Sequence, residues 1–289
     1  MPTKTEKDAI TGRETTGHEW DGIRELDTPL PKWWLYVLYA TIAFAAGYCV
    51  LYPGIPLVSS HSKGLLGYTN REAVKQSIAA AGGQQAKFTD RIRDASLDEI
   101  RKNPDLLAFA ETGGRAAFNE NCAPCHRVGG VGAKGYPALA AGDWLWGGTL
   151  AAIHQTISHG VRNADPESRQ SQMPRFGTDG MLKREQIEDV AAYVTTLSGQ
   201  PADTAAAKRG AAVFAENCVP CHGENGKGNL ELGAKNLTSG LWLYGGDHAS
   251  LIETISNGRG GSMPSWSTRL DPATVKMLAV YVHSLGGGR

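Results

Sequence analysis

Some thirty mixed polar residues open the chain, and then its charges disappear. Between Lys32 and Lys63 there is no Asp, Glu, Lys or Arg, and within residues 33–52 only Thr41 and Gly47 are neither apolar nor aromatic. Twenty helical residues reach about 30 Å, the thickness of one hydrocarbon layer. The pattern predicts a transmembrane helix over 33–53. Trp33, Trp34 and Tyr36 at one end and Tyr48 and Tyr52 at the other are placed as interfacial aromatics, and Pro53-Gly54 ends the run. The long polar leader, residues 1–32, does not fit a cleaved signal peptide, which needs an early basic region and a small-residue cleavage site. Cys49 follows Tyr48 and continues the apolar run, so it reads as an ordinary helix residue.

Residues 54–107 read as a connecting arm with short helices. Thr69 and Asn70 are placed to cap a helix over 71–81, Ser96 and Glu99 have capping-box spacing, and Gly82-Gly83 and Pro104 are expected to interrupt the arm. The remainder is a duplication, 114–199 against 210–287. Phe118 matches Phe214, Asn121-Cys122 matches Asn217-Cys218, and Trp144-Leu145-Trp146-Gly147-Gly148 matches Trp242-Leu243-Tyr244-Gly245-Gly246. Thr156-Ile157-Ser158, Met173-Pro174 and Tyr193-Val194 recur as Thr254-Ile255-Ser256, Met263-Pro264 and Tyr281-Val282. Each copy opens and closes on an amphipathic helix pattern; in Arg184–Leu197 the positions Ile187, Val190, Ala191, Val194 and Leu197 recur at helical spacing. No alternating strand pattern of useful length appears. The expected class is therefore all-α: one N-terminal transmembrane helix and two tandem modules over 108–199 and 205–289, with a short hinge at 202–207.

Composition changes this picture in two ways. Lys+Arg and Asp+Glu both number 29, so no broad basic face exists for a polyanion and no nucleic-acid partner is expected. Five Cys are too few for a disulfide scaffold of the small secreted kind, and four of them fall in two identical motifs.

Those motifs are Cys122-Ala123-Pro124-Cys125-His126 and Cys218-Val219-Pro220-Cys221-His222. Two thiols one helical turn apart suit thioether bonds to the two vinyl groups of one porphyrin edge, and the following imidazole then meets the iron. A thioredoxin-like motif expects a βαβ setting, and zinc knuckles lie much closer together than these two pairs. The reading is two covalently bound haem c groups, held by Cys122, Cys125 and His126 and by Cys218, Cys221 and His222. Met173 and Met263, each followed by Pro, are the expected sixth ligands. His/Met ligation raises the reduction potential and leaves no vacant position for substrate. Each Met either serves its own module or is exchanged with the other, and the sequence does not choose. Met277 and Met181 read as core residues, His154, His159, His248 and His283 as surface or structural ones, with bis-His ligation the minor alternative, and Trp144, Trp146, Trp242 and Tyr244 as packing residues.

Together these features resemble the membrane-anchored dihaem cytochrome c subunit, subunit III, of cbb3-type haem–copper cytochrome c oxidases. The likeness runs through the span ending Val50-Leu51-Tyr52-Pro53, Leu66-Gly67-Tyr68-Thr69, Asp143-Trp144-Leu145-Trp146-Gly147-Gly148 and both haem motifs. It implies a bacterial inner-membrane, proton-translocating terminal oxidase. In it this non-catalytic chain takes electrons from an upstream cytochrome and passes them toward a monohaem cytochrome subunit and the catalytic haem–copper subunit. A dihaem peroxidase-like enzyme or a membrane-tethered haem sensor is the alternative. Five basic residues in the leader against Lys63 alone between the helix and residue 70 favour a single pass with the N-terminus cytoplasmic and the haem domains periplasmic.

Overall fold

The computed structural model describes residues 4–286. The first three residues of the leader and the last three of the second copy, Gly287 among them, lie outside the described residues. The chain divides into two compact units, residues 1–83 and 84–289.

The first unit contains strands β1 (Thr15–Trp20) and β2 (Ile23–Leu26), which the sequence reading did not anticipate. They pair antiparallel, with Trp20 opposite Ile23. Asp21 and Gly22 between them take φ of 49° and 84°, the left-handed pair of a two-residue hairpin turn, so Asp-Gly was the available signal. Helix α1 (Lys32–Leu51) follows, long and apolar enough to cross a membrane, and none of its residues is buried. Beyond it Tyr52 stacks on Tyr48 at 4.7 Å and meets Tyr68 edge-on at 5.6 Å, and Leu65 and Leu66 N–H groups donate to Val50 and Leu51 carbonyls.

Helix α2 (Asn70–Asp94) corrects the expected break at Gly82-Gly83. The two glycines cost about 1 kcal/mol each relative to Ala. They are flanked by Ala79, Ala80, Ala81, Gln84, Gln85 and Ala86, and a helix with such flanks absorbs the cost. Thr69 Oγ1 accepts from Glu72 N–H at its start.

In the second unit α3 (Leu97–Lys102) begins on the expected Ser96–Glu99 capping box. Pro104 starts a helix rather than interrupting one. It is the first residue of α4 (Pro104–Asn121), where a missing N–H costs nothing and Asn103 caps. Then follow α5 (Ala123–His126), α6 (Leu150–His159), α7 (Arg184–Leu197), α8 (Thr204–Asn217), α9 (Val219–His222), α10 (His248–Asn257) and α11 (Pro272–Ser284). Phe88, Ile92, Ile100 and Leu106 pack against Ala273, Met277 and Val280 of α11, so residues 88–107 are part of this unit's core. Met277 is buried as expected, whereas Met181 is 54% exposed and is no core residue.

The helices pair across the duplication. The first helix of copy one, α4, crosses the last helix of copy two, α11, while α8 crosses α7. At each crossing a glycine permits backbone contact. A Cβ on Gly114 would collide with the Met277 carbonyl, and one on Gly210 with the Asp189 carbonyl. The aromatic pairs cross in the same way, Phe118 with Tyr281 at 5.4 Å and Phe214 with Tyr193 at 5.2 Å. One core therefore combines Phe118, Ile153 and Ile157 with Leu278, Ala279 and Val282. The other combines Ile187, Val190 and Val194 with Phe214, Leu251 and Ile255.

Candidate haem-binding sites

Each Cys-x-x-Cys-His segment is a single helical turn. Phe118 and Phe214 carbonyls accept from Cys122 and Cys218 N–H, and Cys122 and Cys218 carbonyls accept from His126 and His222 N–H at 2.9 Å. The turn brings both thiols and the imidazole of each motif to one short segment. Burial and the neighbouring thiol push Cys122 and Cys218 up to about 11. Burial also pulls His126 and His222 below the ordinary imidazole value, favouring the neutral rings that metals bind. His126 Nδ1 donates to the Pro137 carbonyl at 2.9 Å and His222 Nδ1 to the Lys235 carbonyl at 2.8 Å. That fixes the tautomer and leaves each Nε2 lone pair for a metal.

The cavity at the second motif has a volume of about 1300 Å³ including its mouth, and Cys218, Cys221 and His222 line it together with Met173 of the first copy. Met263 of the second copy packs instead in the core that holds Cys122, Ala123 and Trp144. Backbone hydrogen bonds seat each methionine loop on the opposite copy. Val161 and Met263 exchange both N–H···O bonds at 2.9 Å, and Met173 N–H donates to the Arg259 carbonyl at 3.2 Å. Three residues beyond each methionine, Phe176 N–H reaches the Ile255 carbonyl and Trp266 N–H the Ile157 carbonyl, so each loop satisfies the open end of a helix from the other copy. Gly160 and Gly258 close the arrangement. With a Cβ, Gly160 would collide with the Met263 carbonyl and Gly258 with the Met173 carbonyl.

The donor set suits haem c, and one further observation tests the fit. Trp144 Nε1 and Trp242 Nε1, equivalent in the two copies, are buried without a hydrogen-bond partner among the described residues. An unsatisfied buried donor costs about 1–3 kcal/mol. Trp144 lies in the Met263 core and Trp242 in the Met173 cavity, where the carboxylate arms of a porphyrin would supply an acceptor.

Other contacts escaped the sequence reading. Arg169 and Arg259, each four residues before its methionine, donate through Nε to the matched Thr156 and Thr254 hydroxyls. They lie over Trp146 at 5.4 Å and Tyr244 at 4.4 Å. The repeated Arg-x-x-x-Met-Pro was the signal. Lys235, whose carbonyl holds His222, places its ammonium on Asp143 of the first copy, and both side chains are largely buried. Of the histidines outside the motifs, His159 pairs with Asp165 and Glu167.

Comparison with known proteins covers the chain from end to end. Residues 12–59 match the family described as the N-terminal domain of cytochrome oxidase-cbb3, FixP. Residues 111–198 match cytochrome c, and 205–282 match cytochrome c oxidase, cbb3-type, subunit III. A cbb3-type cytochrome c oxidase subunit FixP of Azorhizobium caulinodans is 56% identical over 283 residues, covering 98% of this chain and 96% of the relative. A subunit CcoP of Azospirillum brasilense is 56% identical over 291 residues, covering 98% and 99%, and one of Cereibacter sphaeroides is 46% identical with both chains fully covered. Likeness of this extent, on a chain whose two Cys-x-x-Cys-His turns each sit in a helical core, means that it belongs to the FixP/CcoP family of cbb3-type cytochrome c oxidase subunits.

Proposed function

We infer that the chain is a two-haem relay in which each iron takes its sulfur ligand from the other copy. Cys122, Cys125 and His126 hold one haem c, whose iron Met263 caps. Cys218, Cys221 and His222 hold the second, capped by Met173. The lining of one cavity by Cys218, Cys221, His222 and Met173 together carries this reading. When bound, haem c supplies a reversible one-electron Fe(III)/Fe(II) couple. The chain's residues do the rest: the two carbonyl-bound imidazoles keep their orientation, and the pinned methionine loops keep an uncharged sulfur in place, which favours the ferrous state. With His126 and Met263 on one iron and His222 and Met173 on the other, these residues would fill both coordination spheres, so that electron transfer would need no bond to be made or broken.

As a cbb3 oxidase subunit the chain works in a complex with a catalytic subunit. The finer assignment is that electrons arrive from an upstream cytochrome and leave toward a monohaem cytochrome subunit and the haem–copper centre. Helix α1 anchors the chain in the bacterial inner membrane, and the leader's five basic residues favour its cytoplasmic side, with the haem domains periplasmic.

A CO difference spectrum of the reduced full chain tests the relay against a peroxidase-like enzyme or a sensor. The relay predicts little reaction in the native chain and stoichiometric binding at one haem in Met173→Ala. Rapid CO binding by the native chain contradicts it.

A further inference from the structure

Arg162 stands where the two methionine loops meet. Its Nε donates to the Gly261 carbonyl at 2.6 Å and its Nη1 to the Ser171 carbonyl at 2.5 Å. Gly261 lies two residues before Met263, and Ser171 lies two residues before Met173. One guanidinium thus holds the same point of both loops, although the loops come from different copies. Its backbone is tied in as well, its N–H donating to the Arg169 carbonyl and its carbonyl accepting from Ser262 Oγ at 3.0 Å. The residue takes φ of 49°, a left-handed conformation that a side-chain-bearing residue keeps only where its surroundings enforce it. Among the described residues no carboxylate forms an ion pair with it, so both of these donors serve carbonyls of the ligand loops.

We propose that Arg162 is a shared positioning residue for both axial methionines, a single clamp through which the two iron–sulfur bonds are held together. The proposal rests on the crossed ligation inferred above. A planar fork with several fixed donors spans two carbonyls at once, which a lysine ammonium with one nitrogen does not reproduce. Asn163 next to it provides the contrast, since its Nδ2 donates to the Met263 carbonyl and not to the Met173 loop.

The test uses the full chain with both haems oxidised. Imidazole is added, and the loss of the far-red sulfur-to-iron charge-transfer band is followed in rate and amplitude. The native chain reports on methionine capping, on which the ligation reading depends: a band with the intensity of two Met-capped haems upholds the capping, and a missing band overturns that reading rather than the clamp. With the band present, Arg162→Gln is expected to accelerate displacement on the order of ten-fold across the whole amplitude, because a charge-assisted hydrogen bond is lost from each loop. Asn163→Ala should accelerate only half of it. Acceleration confined to half the amplitude in Arg162→Gln, or none, overturns the clamp. If Arg162→Gln does not retain both haems, Arg162→Lys decides: faster displacement across the whole amplitude supports the clamp, and acceleration confined to half of it, or none, overturns it.

Discussion

At the residue scale, the proposed ligands stand out in the sequence because covalent attachment would fix their spacing, whereas the groups that orient them do not. The imidazoles rest on the carbonyls of Pro137 and Lys235. A backbone carbonyl leaves no mark on side-chain identity, so no motif announces it. The tryptophans stand out as matched aromatics, but only burial reveals that both indole N–H groups lack an acceptor among the described residues. This leads to a specific expectation. Trp242→Phe keeps an aromatic ring at this position but removes the donor and part of the ring, so the thermal stability of the haem-loaded chain should fall by about 1–3 kcal/mol. The reduction potential of the haem held by Cys218 and Cys221 should fall, because the negative charge that the donor stabilised is felt more strongly by the iron. Trp144→Phe should lower the other haem's potential in the same way. A redox titration resolving the two haems checks this, and unchanged potentials would mean that the indoles point at nothing.

At the element scale, helix existence followed from periodicity, and Arg184–Leu197 appears in the structure with the boundaries its apolar stripe predicted. Besides Pro104, two local signals carry a different weight in the structure than in the sequence. Gly82-Gly83 was read as a break, although the alanine- and glutamine-rich flanks carry α2 through it. Asp21-Gly22 was passed over although it forms the hairpin turn of the leader. Which helices pair was not legible at all, because two copies with the same pattern offer equivalent partners and only packing chooses between them. The crossings predict that Gly210→Val lowers stability by about 1–3 kcal/mol, since the added carbons meet the backbone of α7 at Asp189. Thermal unfolding measures the loss. A native melting temperature would show that α7 and α8 do not approach as described.

At the scale of the whole molecule, the crossed pairing gives the two modules unequal chain paths. The module around Cys218 uses the Met173 loop, α7, α8, α9 and α10, which form one continuous stretch of chain. The module around Cys122 takes α4, α5 and α6 and then waits for the Met263 loop and α11. The sequence copies and the spatial modules therefore divide the chain at different places. A fragment covering residues 168–260 is expected to mature into a folded cytochrome with one Met-capped haem. A fragment covering 108–199, a complete sequence copy, lacks α11 and should not. Expression of both with the haem-attachment machinery, followed by optical spectroscopy, tests this; the opposite result would restore self-contained copies.

The exchange of sulfur ligands is the centre of the account, and NMR of the reduced full chain labelled at the methionine methyl groups addresses it most directly. The ring-current-shifted methyl signal that disappears in Met173→Ala should show nuclear Overhauser contacts to the porphyrin thioether-linked at Cys218 and Cys221. Contacts from that methyl group to the porphyrin linked at Cys122 and Cys125 would contradict it.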